Sequence, residues 1–168
     1  IDWGAVHSLG DELAGAAAEQ KLEAFYDFLF TVLHRVIRAR ALQEANIPQD
    51  PRLLQSFLFG DSRIRQVIDS WLDQQLSFDA IFASSDVTAI SLMGSLNERG
   101  IAVPAQVRLV GYDDIALAEH VHPTLTTIRQ PTGQAGRALV DLLFEALAGQ
   151  PRRSIVLPAS LIVRESSA

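Results

Sequence analysis

Residues 107–131 read VRLVGYDDIALAEHVHPTLTTIRQP. Val107, Leu109 and Val110 are an apolar, β-branched run that predicts a buried strand. The run ends on Gly111, Tyr112 and two adjacent aspartates, Asp113 and Asp114. About ten residues without a clear period follow, and Leu125–Ile128 then predicts a second short strand. A core strand that stops at two carboxylates, and a return without a long helix, fit a strand whose carboxyl end opens on a rim.

The flanking segments place that strand in a sheet. RLLQSFLF (52–59) predicts a strand, and GDSRIRQVIDSWLDQQ (60–75) a helix with Ile64, Val67, Ile68, Trp71 and Leu72 at spacings of three and four. Asp61 or Ser62 would cap it. FDAIFASS (78–85) predicts a strand buried on both faces, because its apolar content is nearly continuous. DVTAISLMGSLNERG (86–100) predicts a helix closed by Gly100, and TGQAGRALVDLLFEALAG (132–149) an amphipathic helix closed by Gly149. SIVLPASLIVRES (154–166) predicts one or two terminal strands, broken at Pro158. Alternating strands and helices imply an α/β fold, a parallel sheet with helices on both faces. Ligands in such sheets bind beyond the carboxyl ends of the strands, where Asp86, Asp113 and Asp114 would line one rim.

The first 47 residues differ. Residues 11–45 hold no proline and only Gly15, and KLEAFYDFLFTVLHRVIRARALQEANI reads as continuous helix. The expected organisation is a helical segment over 1–47 and an α/β lobe over 48–168.

Composition narrows the function. The chain has 168 residues and no cysteine, which excludes disulfides and thiol chemistry. Its net charge of −6 is the reverse of what a phosphate-gripping surface needs. No apolar run reaches the roughly 18 residues that span a bilayer. The start, IDWGAVHSLGDEL, lacks the basic and apolar regions of a signal peptide and lacks methionine. The chain is therefore expected to be a cytoplasmic part of a longer product.

Each candidate residue has a plain reading beside a functional one. Asp86 precedes an apolar-periodic helix, so it reads first as an N-cap, and second as an acceptor for ligand hydroxyls. Asp113 and Asp114 read as a turn and a cap. Acid–base catalysis is disfavoured because adjacent residues leaving a strand point apart and no third group accompanies them. His120 and His122 share one face of a strand by spacing, but no further ligand follows, so surface histidines beside Pro123 outweigh a metal site. The arginines of HRVIRAR (34–40) read as a solvated helix face. Of Phe57 and Phe59, one belongs in the core and the other could stack on a ring-shaped ligand at the rim. No dinucleotide, phosphate-loop, nucleophile-elbow, zincin or EF-hand motif occurs. The residues fit binding without chemistry, with neither metal nor cofactor.

Taken in order, the strand-SSD-helix element, VP-x-x-V-x-x-VGYDD and P-x-LTTIRQP resemble the effector-binding domain of LacI/GalR-type transcriptional repressors, from about Ile47 to Ser166. The resemblance implies a lobe of a two-lobed, periplasmic-binding-protein-like fold, mainly the C-terminal one, with a small-molecule effector, a sugar above all, in the interlobe cleft. It implies that Asp86 hydrogen-bonds the effector, that Phe59 stacks on it, and that Asp113 and Asp114 face the cleft. Thr126, Thr127, Arg129 and Gln130 would belong to the crossover and hinge. It further implies a homodimer that contacts DNA only through an N-terminal helix-turn-helix domain, which this sequence lacks. The apolar residues Ile64, Trp71, Leu72, Leu117 and Ala118 are more than two helices need for the core, and are expected to serve that dimer. Other readings are a soluble sugar-binding protein, the sensor of another signalling chain, or a fragment without ligand binding.

Overall fold

The computed structural model describes residues 40–55, 62–151 and 153–168. Ala80–Phe82 (β1) and Arg108–Val110 (β2) pair in parallel, Ala80 opposite Arg108 and Phe82 opposite Val110. Gln66–Asp73 (α1) precedes β1, and Asp86–Glu98 (α2) makes the crossover to β2. The chain then returns by a 3-10 turn, Ala116–Glu119, to Thr127–Arg129 (β3). Thr132–Leu147 (α3) follows, and Ser160–Ile162 (β4) lies antiparallel to β3, with Ile128 opposite Leu161. A parallel bridge from Val110 to Thr126 joins β2 to the segment that enters β3. The protein is thus a mixed α/β molecule with a parallel strand pair and packed helices, to which the chain's end adds an antiparallel pair.

Two compact units divide the chain, Ile1–Arg63 and Ile64–Ala168. The expected division after residue 47 falls inside the first. Within that unit, Pro51–Leu53 forms a 3-10 turn, with Asp50 accepting from the Arg52 backbone N–H. The predicted strand over 52–59 is therefore replaced at its start by a turn, as Pro51 at the first position favours. The remainder of that segment, with Phe57 and Phe59, lies outside the described residues.

The second unit owns the core. Val67, Ile68 and Trp71 of α1 and Ala89, Leu92, Met93 and Leu96 of α2 are buried, at the three- and four-residue spacing of one helix face. They meet Ile81, Leu109 and Leu125, and Ile68, Leu96, Leu109 and Leu125 have no solvent exposure. Each such side chain contributes roughly 1.5–3 kcal/mol by leaving water. Trp71 adds an edge-on contact with Phe78, ring centres 5.1 Å apart.

Several expectations change in detail. A 3-10 turn, Ser62–Arg65, leads into α1, whose cap residue Arg65 makes no side-chain cap bond. β1 is buried on one face only: Ile81 points inward while Phe82 is 46% exposed, as period-two alternation in a strand pair allows. Ile64, Trp71 and Ala118 are core residues of this unit, which leaves Leu72 and Leu117 exposed. Over residues 153–157, where the first of the terminal strands is expected, no strand forms. The amphipathic α3 buries none of its residues, and Leu139, Val140, Leu143, Phe144 and Leu147 are exposed.

Candidate functional site

Asp86 occupies the first turn of α2, but it does not cap the helix. Ser85 does, in extended conformation (φ −152°), with its Oγ accepting from the Thr88 N–H at 3.2 Å. Serine and aspartate are equally good caps, so the sequence alone does not rank two neighbours. The consequence matters, because the Asp86 carboxylate is released to turn inward. It has no solvent exposure. Oδ2 accepts from the Ile115 N–H at 2.9 Å, and Oδ1 accepts from Thr127 Oγ1 at 2.6 Å. Its backbone N–H donates to the Tyr112 carbonyl at 2.8 Å.

Gly111 makes this approach possible. A Cβ there would stand 2.2 Å from Asp86 Oδ1 and 3.0 Å from Leu125 Cδ2. The glycine that ends the opening strand is therefore a matter of space for a carboxylate.

The turn after Gly111 carries the other two aspartates. Asp113 is exposed and its Oδ1 accepts from Gln130 Nε2 at 2.8 Å. Asp114 is nearly buried, its side chain 6% exposed. It pairs with Arg164 Nη2 at 2.8 Å and with Arg129 Nε. Arg164 also reaches Glu119 at 2.7 Å and the Leu125 carbonyl at 2.8 Å. Burial pushes the Asp114 carboxyl up, but the hydrogen bonds from Arg164 and Arg129 outweigh it and hold the group below the usual aspartate value. Burial makes Tyr112, beside Asp113, a weaker acid than a free tyrosine.

The four residues expected at a hinge divide between interior and rim. Thr126 and Thr127 are buried. Thr126 Oγ1 donates to the Arg164 carbonyl at 2.9 Å and accepts from the Arg164 N–H at 2.8 Å. Arg129 and Gln130 reach back to Asp114 and Asp113. Asp86, Asp113, Asp114 and all four crossover residues thus belong to one connected network at the carboxyl ends of β1 and β2. Phe59 lies outside the described residues.

Arg164 is the member that sequence reasoning missed. Its signal was a lone cation in the otherwise apolar SLIV run, which reads equally well as a solvated edge. The histidines assemble nothing. His120 sits at the end of the 3-10 turn, with Nδ1 2.8 Å from the Ala116 carbonyl, and His122 is open to solvent, 3.8 Å from Glu165. They do not share a strand face, and no group of three metal-ligating side chains occurs among the described residues. The site offers carboxylates, amide donors, threonine hydroxyls and two guanidinium groups, which are hydrogen-bonding groups.

Comparison with known proteins identifies the family. The periplasmic binding protein-like domain family matches residues 31–167. The transcriptional regulator CelR of Thermobifida fusca is 39% identical over 97 residues, covering 56% of this chain and 28% of that protein. The regulator GalR of Salmonella typhimurium is 32% identical over 152 residues, covering 89% of this chain and 40% of that protein. Among solved structures, a CelR–cellobiose complex superimposes with a TM-score of 0.66 at 32% identity, over 88% of this chain and 42% of that one. The chain spans less than half the length of these relatives, which are regulators rather than enzymes.

Proposed function

The chain belongs to the periplasmic binding protein-like domain family, in the company of the LacI/GalR-type regulators, and from that premise we propose that it is the effector-binding module of such a regulator, with a sugar as effector. The observation that carries this reading is the carboxylate network at the strand ends. A sugar presents hydroxyl donors in several directions, and buried, fixed acceptors with amide donors beside them are what orient it. The relative solved with cellobiose supports the same ligand class.

In this reading Asp113, exposed at the rim, and Asp86 accept from ligand hydroxyls. Asp86 has lone pairs beyond those engaged by Ile115 and Thr127, and a ligand reaches it when the turn formed by residues 111–115 moves aside. Phe59 supplies the stacking face. Asp114 acts on the ligand indirectly, by fixing the turn. Thr126, Thr127, Arg129 and Gln130 form the crossover between lobes. Effector binding shifts the lobe arrangement and so alters DNA affinity elsewhere in the regulator. The acidic balance supports DNA contact through a different part of the regulator, and a module that serves DNA in this way would work in the cytoplasm. We also propose a homodimer, supported by the large apolar side chains that α3 and β4 leave exposed, Leu139, Leu143, Phe144, Leu147 and Leu161 among them.

Calorimetric titration with mono- and disaccharides, nucleobases and amino acids tests the ligand. A sugar is expected to bind, and Asp86→Asn to weaken it about ten- to a hundredfold, the effect of one charge-assisted hydrogen bond. Binding of a nucleobase or amino acid alone, or of nothing in the panel, overturns the sugar reading. Sedimentation at micromolar concentration that shows only monomer overturns the dimer.

A further inference from the structure

The turn that ends β2 has positive φ at two consecutive residues and is strained at the first. Asp113 has φ 113° and Asp114 φ 55°. The second value is the left-handed region that aspartate tolerates, but the first is backbone that glycine adopts and side chains avoid. Strain of this kind persists only where the surroundings over-determine it.

Here the anchors come mainly from one side of the molecule. The Asp113 N–H donates to the Ile128 carbonyl at 2.9 Å, and the Asp114 N–H to Thr127 Oγ1 at 3.3 Å. Gln130 holds the Asp113 side chain, and Arg129 with Arg164 holds that of Asp114. All of these partners belong to β3, its immediate end, or the residue pair following β4. Further ties run to α2 and to the segment entering β3: the Ile115 N–H donates to Asp86 Oδ2, the Asp86 N–H to the Tyr112 carbonyl and the Gly111 N–H to the Thr126 carbonyl, and Asp86 itself accepts from Thr127 of β3. Arg164 is the residue through which the C-terminal strand enters. Its side chain is 11% exposed and bridges Asp114, Glu119 and the Leu125 carbonyl.

We infer that residues 111–115 form a strained latch, held shut by β3 and Arg164, which springs to a relaxed backbone when those strands shift. The turn and the strand pair then have two joint arrangements rather than a continuum, because a displacement of β3 removes several anchors together. Since Gly111, Tyr112 and Ile115 lie against Asp86 together with Thr127 of β3, an arrangement in which turn and strand part also uncovers that carboxylate. The latch is a property of the lobe and stands whichever effector the site takes.

Backbone amide hydrogen exchange on the full chain tests it with Arg164→Met, Asp113→Gly and the double variant. Arg164→Met is expected to speed exchange at the amides of residues 113–115 by roughly 5- to 150-fold relative to Leu92 and Met93 of α2, the range set by releasing one strained residue. Asp113→Gly removes the penalty at φ 113° and is expected to slow the same amides. In the double variant they return to within about threefold of the parent, because a relaxed turn needs no clamp. Acceleration in Arg164→Met that Asp113→Gly fails to reduce overturns the inference, since the clamp then holds no strain. Acceleration spread evenly over α2 and β1 overturns it as well, because Arg164 then stabilises the whole lobe. Should Arg164→Met not fold, Asp114→Asn takes its place in the same cycle and is read by the same criteria.

Discussion

Thr127 Oγ1 donates to Asp86 Oδ1 at 2.6 Å, and neither residue has any exposure to solvent. A buried carboxylate without a cationic partner is costly unless its lone pairs are used. This bond also joins the start of α2 to β3, across 41 residues of sequence. Thr127→Val keeps the shape and removes the donor. It is expected to lower the free energy of unfolding by about 1–3 kcal/mol, the cost of orphaning a buried polar group. Thr127→Ser restores the hydroxyl and is expected to recover most of the loss. Urea unfolding of both variants checks this, and equal stability of the valine variant and the parent would sink the account.

Gly111→Ala is expected to be as damaging, for a steric reason. The added methyl meets Asp86 Oδ1 at 2.2 Å, and the backbone of Asp86 lies 3.3 Å away. The carboxylate is held at both oxygens, so a push on Oδ1 distorts its bonds to Ile115 and Thr127 together. Overpacking of a close-fitted core costs about 1–3 kcal/mol. A thermal unfolding midpoint in Gly111→Ala equal to that of the parent would show that the carboxylate is less confined than its contacts indicate.

The contrast between α1 and α3 yields a third expectation. Ile68 has no exposure, and its replacement by alanine should cost about 2–5 kcal/mol. Phe144 is 65% exposed, and at concentrations below the proposed dimerisation Phe144→Ser should leave stability within about 0.5 kcal/mol of the parent. Chemical denaturation of the two variants separates the core from the bare face. Comparable losses from both would place α3 in the core of the folded protein.

How much of this was legible follows from where each signal resides. The closing glycine of α2 could be read, because Gly100 at φ +69° follows the last apolar position of a strong helical period. The rim position of Asp86, Asp113 and Asp114 could be read from strand ends alone. The division of labour between Ser85 and Asp86 could not, since both residue types cap equally and only the third dimension shows that Thr127 lies in reach of the Asp86 carboxylate. The one-sided burial of β1 was hidden by a run, AIFA, that is apolar at every position. Arg164 was hidden by distance: its partner Asp114 is 50 residues earlier in sequence. Local patterns carry helices and caps, whereas pairings between distant elements are written in no local pattern.

The Asp114–Arg164–Arg129 cluster gives the lobe an acid dependence whose sign can be worked out. Burial alone would raise the Asp114 carboxyl, but the hydrogen bonds from Arg164 and then Arg129 prevail and hold it below the ordinary aspartate value. The folded state therefore gives up its proton more readily than the unfolded state. Such a group adds stability in full above the unfolded value, near pH 4, and loses it as pH falls through the lower folded value. Asp114→Asn removes this titration and leaves two arginines short of a partner. The variant is expected to be less stable than the parent at pH 7, with a shallower decline in stability below about pH 4. Its deficit should narrow as the parent's own carboxyl takes up a proton. Urea midpoints measured from pH 7 down to pH 2.5 read both features. Parallel pH profiles for parent and variant would show that Asp114 titrates alike in the folded and unfolded chains, and the cluster would then contribute nothing to acid sensitivity.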